Sequence, residues 1–472
     1  MVFSSALFLL YFLPLFLLVY HIVGERWKNG VILLFSLFFY SWGAPRFVFV
    51  LLALTGIDFF IVRKMYGTTD RKRKKAWLAA SVCINMGLLF YFKYSNFFIE
   101  NVNTVLSVLG FHSIHWTKLI LPIGISFFTF ETLTYSIDAY RGIIRPLKRL
   151  PDYYLYIFLF PKLIAGPIVR FTLIEDQMHR RTVLEDDLVA GFLRFCLGLG
   201  KKVLIANTMG RVADELIAAP EAWDMAVSWT ALLAYTFQIY FDFSGYSDMA
   251  LGIGRMIGFR FPENFDNPYT SSSITEFWRR WHMTLGFWMR EYLYIPLGGN
   301  RVKSKTRLYF NLWVVFLLSG LWHGASWNFV VWGAYHGCFL VLDRMFLLRW
   351  LENTPKAFSV ALTFFLVAVG WAFFRIEDFQ LLGNFLQALF SFRGQLPVAV
   401  LDAEVITTFL IGALFAFFII LPGGKLIQQC VYYPQAIVRW RIPVLLGAAA
   451  LLGVSLAYIT TSNFNPFIYF RF

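Results

Sequence analysis

Three histidines and two aspartates stand where ionisable groups are costly. His323 lies in Ser319-Gly320-Leu321-Trp322-His323-Gly324-Ala325, and His336 in Trp332-Gly333-Ala334-Tyr335-His336-Gly337, both within apolar runs; His282 follows Trp278-Arg279-Arg280-Trp281. An imidazole titrates near about 6.5 when unperturbed and burial favours its neutral form, so each ring suits general-base work at physiological pH. Each reads equally as a core ring hydrogen-bonded between helices, and spacing alone does not choose. Asp242 and Asp248, in Tyr240-Phe241-Asp242-Phe243-Ser244-Gly245-Tyr246-Ser247-Asp248, interrupt an otherwise spanning stretch. Carboxylates there need cationic partners or a water-lined path. Structural pairing is as good a reading for them as a supporting role in chemistry.

Other chemistries lack their signatures. G-x-S-x-G, the Walker A loop, H-E-x-x-H and a dinucleotide fingerprint are absent. Cys83, Cys196, Cys338 and Cys430 are far apart, in or beside apolar stretches. They form no C-x-x-C pair or His/Cys spacing, so neither a metal site nor a disulfide framework is expected.

The elements that must carry these side chains are membrane helices. Of 472 residues 58% are apolar, 20% aromatic and 15% charged, against about 25% charged in a soluble domain. Runs near the length that crosses a hydrocarbon core recur at Val2–Val23, Pro45–Val62, Ala76–Phe98, Leu119–Tyr140, Trp229–Phe243, Phe358–Phe374 and Val405–Leu421. Others, such as Val31–Trp42, are short or broken, and roughly ten to thirteen segments are expected. The first run lacks a basic leader and a small-residue cleavage site, so it reads as a spanning helix.

Arg26 and Lys28 follow that run, which by the positive-inside rule places the N-terminus outside. The basic loops Arg63–Lys75 and Arg141–Arg149 return to the inside after two segments each. From Asp152 to Arg211 the alternation blurs, because Pro161, Gly166 and Pro167 predict a broken or re-entrant element. Basic cytoplasmic loops account for the net charge of +14, and would sit well against anionic lipid; no nucleic-acid partner is needed. With no repeat or linker, residues 1–472 read as a single membrane domain.

Arg260–Arg307 is too polar to span and carries eight Lys/Arg against four Asp/Glu, which places it in the cytoplasm. Ser273-Ile274-Thr275-Glu276 has the form of a capping box. Ile274, Phe277, Trp278, Trp281, Leu285, Trp288 and Tyr292 then make one stripe about 100° wide on a continuous helix, with Glu276, Arg279, Arg280, Arg290 and Glu291 opposite. Such a helix suits the membrane interface, and His282 falls on the boundary of its two faces. Gly320 and Gly324 form a small-xxx-small pair that admits a neighbouring backbone beside His323. The aromatic run Asn463–Phe470 suits an interface.

Several of these stretches resemble the membrane-bound O-acyltransferase family. They are Phe261-Pro262-Glu263-Asn264-Phe265, Thr275-Glu276-Phe277-Trp278-Arg279-Arg280-Trp281-His282, Tyr292-Leu293-Tyr294-Ile295-Pro296-Leu297-Gly298-Gly299-Asn300-Arg301 and Gly320-Leu321-Trp322-His323-Gly324-Ala325. Met1–Ser5, Asp242–Asp248 and Asn465–Phe470 look like its bacterial polysaccharide branch, nearest the membrane component of alginate O-acetylation. The resemblance spans the chain with its motifs in order.

It implies an all-α polytopic bundle of spanning and re-entrant helices with a central funnel, in a bacterial inner membrane. The family's catalytic histidine matches His323, as general base or as a nucleophile that briefly carries the acetyl group. A second polar position matches His282, which would orient the donor or stabilise the oxyanion, and His336 has a less defined role. The implied donor is a cytoplasmic thioester, acetyl-CoA or an acyl-carrier thioester, with no permanently bound cofactor. Trp278, Arg279, Arg280, Trp281 and Arg301 are the expected donor-binding residues. The acetyl group would pass through an exported acetyltransferase partner to a polysaccharide, either an alginate-like exopolymer or peptidoglycan. D-alanyl transfer to teichoic acid from a carrier protein is the nearest rival. A transporter would use the same intramembrane Asp and His residues, but the chain shows no inverted repeat.

Overall fold

The computed structural model describes residues 1–432, 441–462, 464–466 and 468. These form helices and turns, with no strand beyond an isolated antiparallel bridge between Phe265 and Trp281. Five described helices are long and apolar enough to cross a membrane: Arg71–Val108, Trp327–Glu352, Lys356–Arg375, Ala403–Ile420 and Arg441–Thr461. The protein is an all-α polytopic membrane protein, as its hydropathy predicts. Glu25–Gly43, Phe47–Gly67 and Lys305–His323 are of similar length, at 19, 21 and 19 residues, but carry more charge or polar side chains.

The chain forms two compact units. The first comprises Met1–Val183 with Ile257–Phe261. Its core is partly polar: buried Asp58 accepts hydrogen bonds from Tyr153 Oη at 2.7 Å, Asn85 Nδ2 at 3.1 Å, and the hydroxyls of Ser81 and Ser136. Buried Lys162 pairs with Glu131. Donors from several helices thus meet buried charge, which is how a carboxylate is kept in an apolar interior. The element expected to be broken is broken: short helices Leu150–Phe158, Phe160–Leu163 and Phe171–His179 replace one long span.

The second unit comprises Leu184–Met256 and Pro262–Phe472, and all three candidate histidines belong to it. Its frame is the crossing of Glu185–Gly200 on the 32-residue helix Met225–Met256. A Cβ on Gly191 would stand 2.7 Å from Gly252 O, and one on Gly198 2.5 Å from Gly245 O. Only glycine permits that approach, and the seven-residue spacing on both helices repeats it two turns apart. The same crossing brings Arg194 within 2.6 Å and Lys201 within 2.7 Å of Asp248.

The continuous helix expected after Ser273 is not formed. Ser273 does cap, its hydroxyl accepting from Glu276 N at 3.1 Å. The returning Glu276 carboxylate binds the backbone N–H and hydroxyl of Ser272, one residue earlier than expected. The helix then runs only from Ile274 to Arg280 and breaks at Trp281-His282. A second, six-residue helix, Met283–Trp288, follows. The seven-position stripe is therefore cut in two, and His282 is buried at the break instead of lying on a boundary between faces. Local pairing wins over helix periodicity here: Arg280 O accepts from Asp266 N and Asn264 O from Met283 N, both at 2.9 Å. Of the aromatic run Asn463–Phe470, positions 463, 467, 469 and 470 lie outside the described residues.

Candidate active site

His323 is the last residue of the Lys305–His323 helix. That helix packs on Trp327–Leu342 so closely that a Cβ on Gly320 would lie 2.2 Å from Phe329 O, and one on Gly333 2.5 Å from Phe316 O. Gly324 faces the Phe329 ring in the same way. The small-xxx-small pair therefore does what its spacing predicts, and it holds the helix end that presents His323.

The imidazole lines a small, tightly packed cavity. Its walls are Phe243, Trp281, Trp332, Trp371 and Phe374, closed by Ile239 and Ile468. His323 is the one titratable group among these lining residues. Its ring lies 5.1 Å from Trp332 and 5.4 Å from Phe374, edge-on to both. Trp371 is oriented through Nε1, which donates to Tyr269 Oη at 3.2 Å, and that hydroxyl donates to Thr236 O at 2.7 Å. An aromatic-walled pocket with one titratable group leaves a single side chain for proton exchange.

His282 occupies the helix break with φ 45° and ψ 53°, in the left-handed region. For a residue with a Cβ this costs about 1–3 kcal/mol and persists only where the surroundings impose it. Asn264 imposes it. Its Oδ1 accepts from the backbone N–H and the hydroxyl of Thr284 at 3.3 and 2.9 Å, and its Nδ2 donates to Ser247 at 3.1 Å. Because a backbone N–H can only donate, that oxygen is an acceptor, and His282 Nδ1, at 3.1 Å, must carry its proton. Nε2 is then the lone-pair nitrogen. Burial pushes the His282 pKa down to about 3, so the ring is neutral at physiological pH. It packs edge-on against Phe243 at 4.7 Å, and Trp322 at 6.1 Å separates it from the His323 side.

His336 is wholly buried and stands off the cavity lining. Aromatic rings enclose it: Trp278 at 5.0 Å, Trp332 at 5.1 Å and Tyr335 at 5.1 Å. Neither ring nitrogen has a hydrogen-bond partner among the described residues. Trp332 therefore lies between His323 and His336 and touches both.

The expected donor-binding residues divide. Trp281 lines the cavity; Trp278 packs behind it on Trp332 and His336. Arg280 is held by Glu276 at 2.6 Å and Thr270 at 3.2 Å, whereas Arg279 and Arg301 are exposed. Asp242 and Asp248 follow the pairing reading, Asp242 with Lys202 at 3.0 Å and Asp248 with Arg194 and Lys201. Neither lines the cavity.

Asn264, Phe243, Trp371, Phe374 and Ile468 were not singled out from sequence as site residues. Trp371 and Phe374, three apart on one helix, carried a usable signal in their shared face. Asn264 carried none beyond its place in a motif.

Residues 145–376 match the model of the membrane-bound O-acyltransferase family, a span that includes both His282 and His323. A probable alginate O-acetylase of Pseudomonas aeruginosa is 42% identical, over 89% of this chain and 81% of its own length. One from Azotobacter vinelandii is 38% identical with 100% of each chain covered. A peptidoglycan O-acetyltransferase of Helicobacter pylori is 35% identical, over 84% of this chain and 80% of its own length.

Proposed function

The chain belongs to the membrane-bound O-acyltransferase family and is an O-acyltransferase, and on that basis we propose that it moves acetyl from a cytoplasmic thioester toward a polysaccharide outside an inner membrane. The observation that carries the reading is His323, a lone titratable group in an aromatic-walled cavity, with a second histidine beyond Trp322 whose tautomer is set by Asn264. The relatives' names support acetyl as the group and a polysaccharide as the acceptor.

Acetyl-CoA is the proposed donor. The acetyl thioester end would enter at the His323 cavity, and Arg279 and Arg301, both exposed, would meet the phosphates of the coenzyme. The acceptor hydroxyl gives its proton to His323 as its oxygen attacks the thioester carbonyl. The new C–O bond forms, the C–S bond breaks, and the thiolate recovers the proton from the imidazolium. His282, protonated on Nδ1 and neutral, offers Nε2 as an acceptor that orients a donor amide or the attacking hydroxyl. It has no N–H there to give to an oxyanion. The acceptor on the far side is a hydroxyl of an exported acetyltransferase partner, which completes the transfer. The N-terminus faces that side.

The test is transfer from labelled acetyl-CoA in membranes carrying wild-type protein or His323→Ala, matched for folded protein. Label on polymer or partner that falls by about 10²–10⁴ in the variant is expected for loss of a general base. Equal label in both would remove His323 from the chemistry. No label from acetyl-CoA in wild type, with label from a carrier-protein thioester, would replace the donor.

A further inference from the structure

Asp242 stands one residue before Phe243 and three after Ile239, both in the cavity wall, yet its own carboxylate turns away from the cavity. Oδ1 meets Lys202 Nζ at 3.0 Å, with both side chains almost wholly buried. Oδ2 accepts from the backbone N–H of Ile468 at 2.9 Å. Lys202 Nζ in turn donates to Asn207 Oδ1 at 2.8 Å and to Pro466 O. Asn207 Nδ2 reaches Asn465 Oδ1 at 3.2 Å. One buried ion pair and its neighbour thus hold residues 465, 466 and 468 at three points. Ile468, 3% exposed, lines the same cavity as His323.

A buried ion pair contributes little net stability against an apolar pair of the same volume, so what this one supplies is geometry. This pair presents a side-chain donor, Lys202 Nζ, to the Pro466 carbonyl and a side-chain acceptor, Asp242 Oδ2, to the Ile468 N–H, and so pins an irregular segment. Apolar side chains could not satisfy the Ile468 N–H or the Pro466 carbonyl in so dry a place.

We propose that Lys202 and Asp242 are positioning residues that dock residues 465, 466 and 468, so that Ile468 completes the wall of the His323 cavity and limits the acyl group it accepts to the size of acetyl. This rests on the acyl-transfer reading of that cavity. One methylene in an apolar pocket changes discrimination by about 10–200-fold, so a single side chain at this wall suffices to reject propionyl.

The experiment measures kcat and KM for acetyl-CoA and propionyl-CoA in membranes carrying wild type, Ile468→Ala, Asp242→Asn and the double variant, each normalised to folded protein. Ile468→Ala is expected to raise the propionyl-to-acetyl ratio of kcat/KM by about tenfold or more. Asp242→Asn is expected to move the ratio in the same direction, and the double variant to go no further than the larger single effect. Ile468→Trp, which leaves the ion pair intact, should fill the cavity and lower acetyl transfer without loss of protein, and it carries the test if Asp242→Asn does not fold. An unchanged ratio in Ile468→Ala, or additive effects in the double variant, would overturn the proposal. All arms are compared with a wild type that transfers acetyl and a His323→Ala that does not. Failure of that control pair counts against the acyl-transfer reading, and failure of the ratio against the docking.

Discussion

Asn264 Oδ1 lies 3.1 Å from His282 Nδ1 and decides which nitrogen of that ring carries the proton. The same oxygen accepts from the backbone of Thr284, so the decision is made by a group that cannot rotate away. An aromatic-lined pocket by itself would leave the tautomer open.

Asn264→Ala should therefore lower acetyl transfer without abolishing it. Loss of a buried hydrogen-bond partner costs about 1–3 kcal/mol, which corresponds to about tenfold to hundredfold in rate if it falls on the transition state. Asn264→Asp, whose carboxylate also accepts from Nδ1, should retain more activity than Ala. Steady-state transfer rates in membranes at equal folded protein check this, and equal rates in Ala and Asp variants would sink the orienting role.

The pH dependence of stability has a definite sign. His282 titrates at about 3 in the fold and near about 6.5 when unfolded. The unfolded chain binds the proton first as pH falls, so the contribution of the neutral buried ring is whole above about 6.5 and is lost progressively toward 3. The slope is at most about 1.4 kcal/mol per pH unit. Denaturation midpoints of wild type and His282→Gln, compared at pH 7 and pH 5, should show the wild-type margin shrinking at pH 5. A margin constant across that interval contradicts the burial argument.

Gly320→Ala should damage the site through packing. Its new Cβ would meet Phe329 O at 2.2 Å, a backbone atom that cannot swing aside. The two helices must part, at about 1–3 kcal/mol for overpacking, and His323 moves with the helix end. Gly447→Ala, with nothing within 4 Å of its Cβ position, is the control. Thermal midpoint and transfer rate should both fall for Gly320→Ala and for that variant only.

The arginines should separate into two kinds. Arg279→Ala and Arg301→Ala, at exposed positions, should raise KM for acetyl-CoA and flatten its salt dependence, with kcat little changed. Arg280→Ala removes the partner of Glu276 and should instead lower stability, by about 0.5–1 kcal/mol for a part-exposed pair. A KM that ignores all three substitutions would leave these residues with topology alone.

Much was legible in the sequence because it follows from composition and local spacing. Apolar runs long enough to span, the cap at Ser273, the close approach at Gly320 and the need of Asp242 and Asp248 for cations are consequences of hydrophobic burial, backbone hydrogen bonding and the cost of isolated charge. His323 was marked by an ionisable ring in an apolar context. Tertiary structure alone decided the rest. The helix after Ser273 breaks at His282 because Asn264 and Asp266, far from it in local spacing, take its backbone groups, and no 3.6-residue period contains that competition. Whether His336 shares the cavity with His323 depends on the angle at which two helices cross and on which side Trp332 falls between them. The wall contributed by Ile468 depends on a buried ion pair more than two hundred residues away in sequence. Such pairings are set by three-dimensional packing, so the chemistry of each residue could be read from its type, while its partners could not.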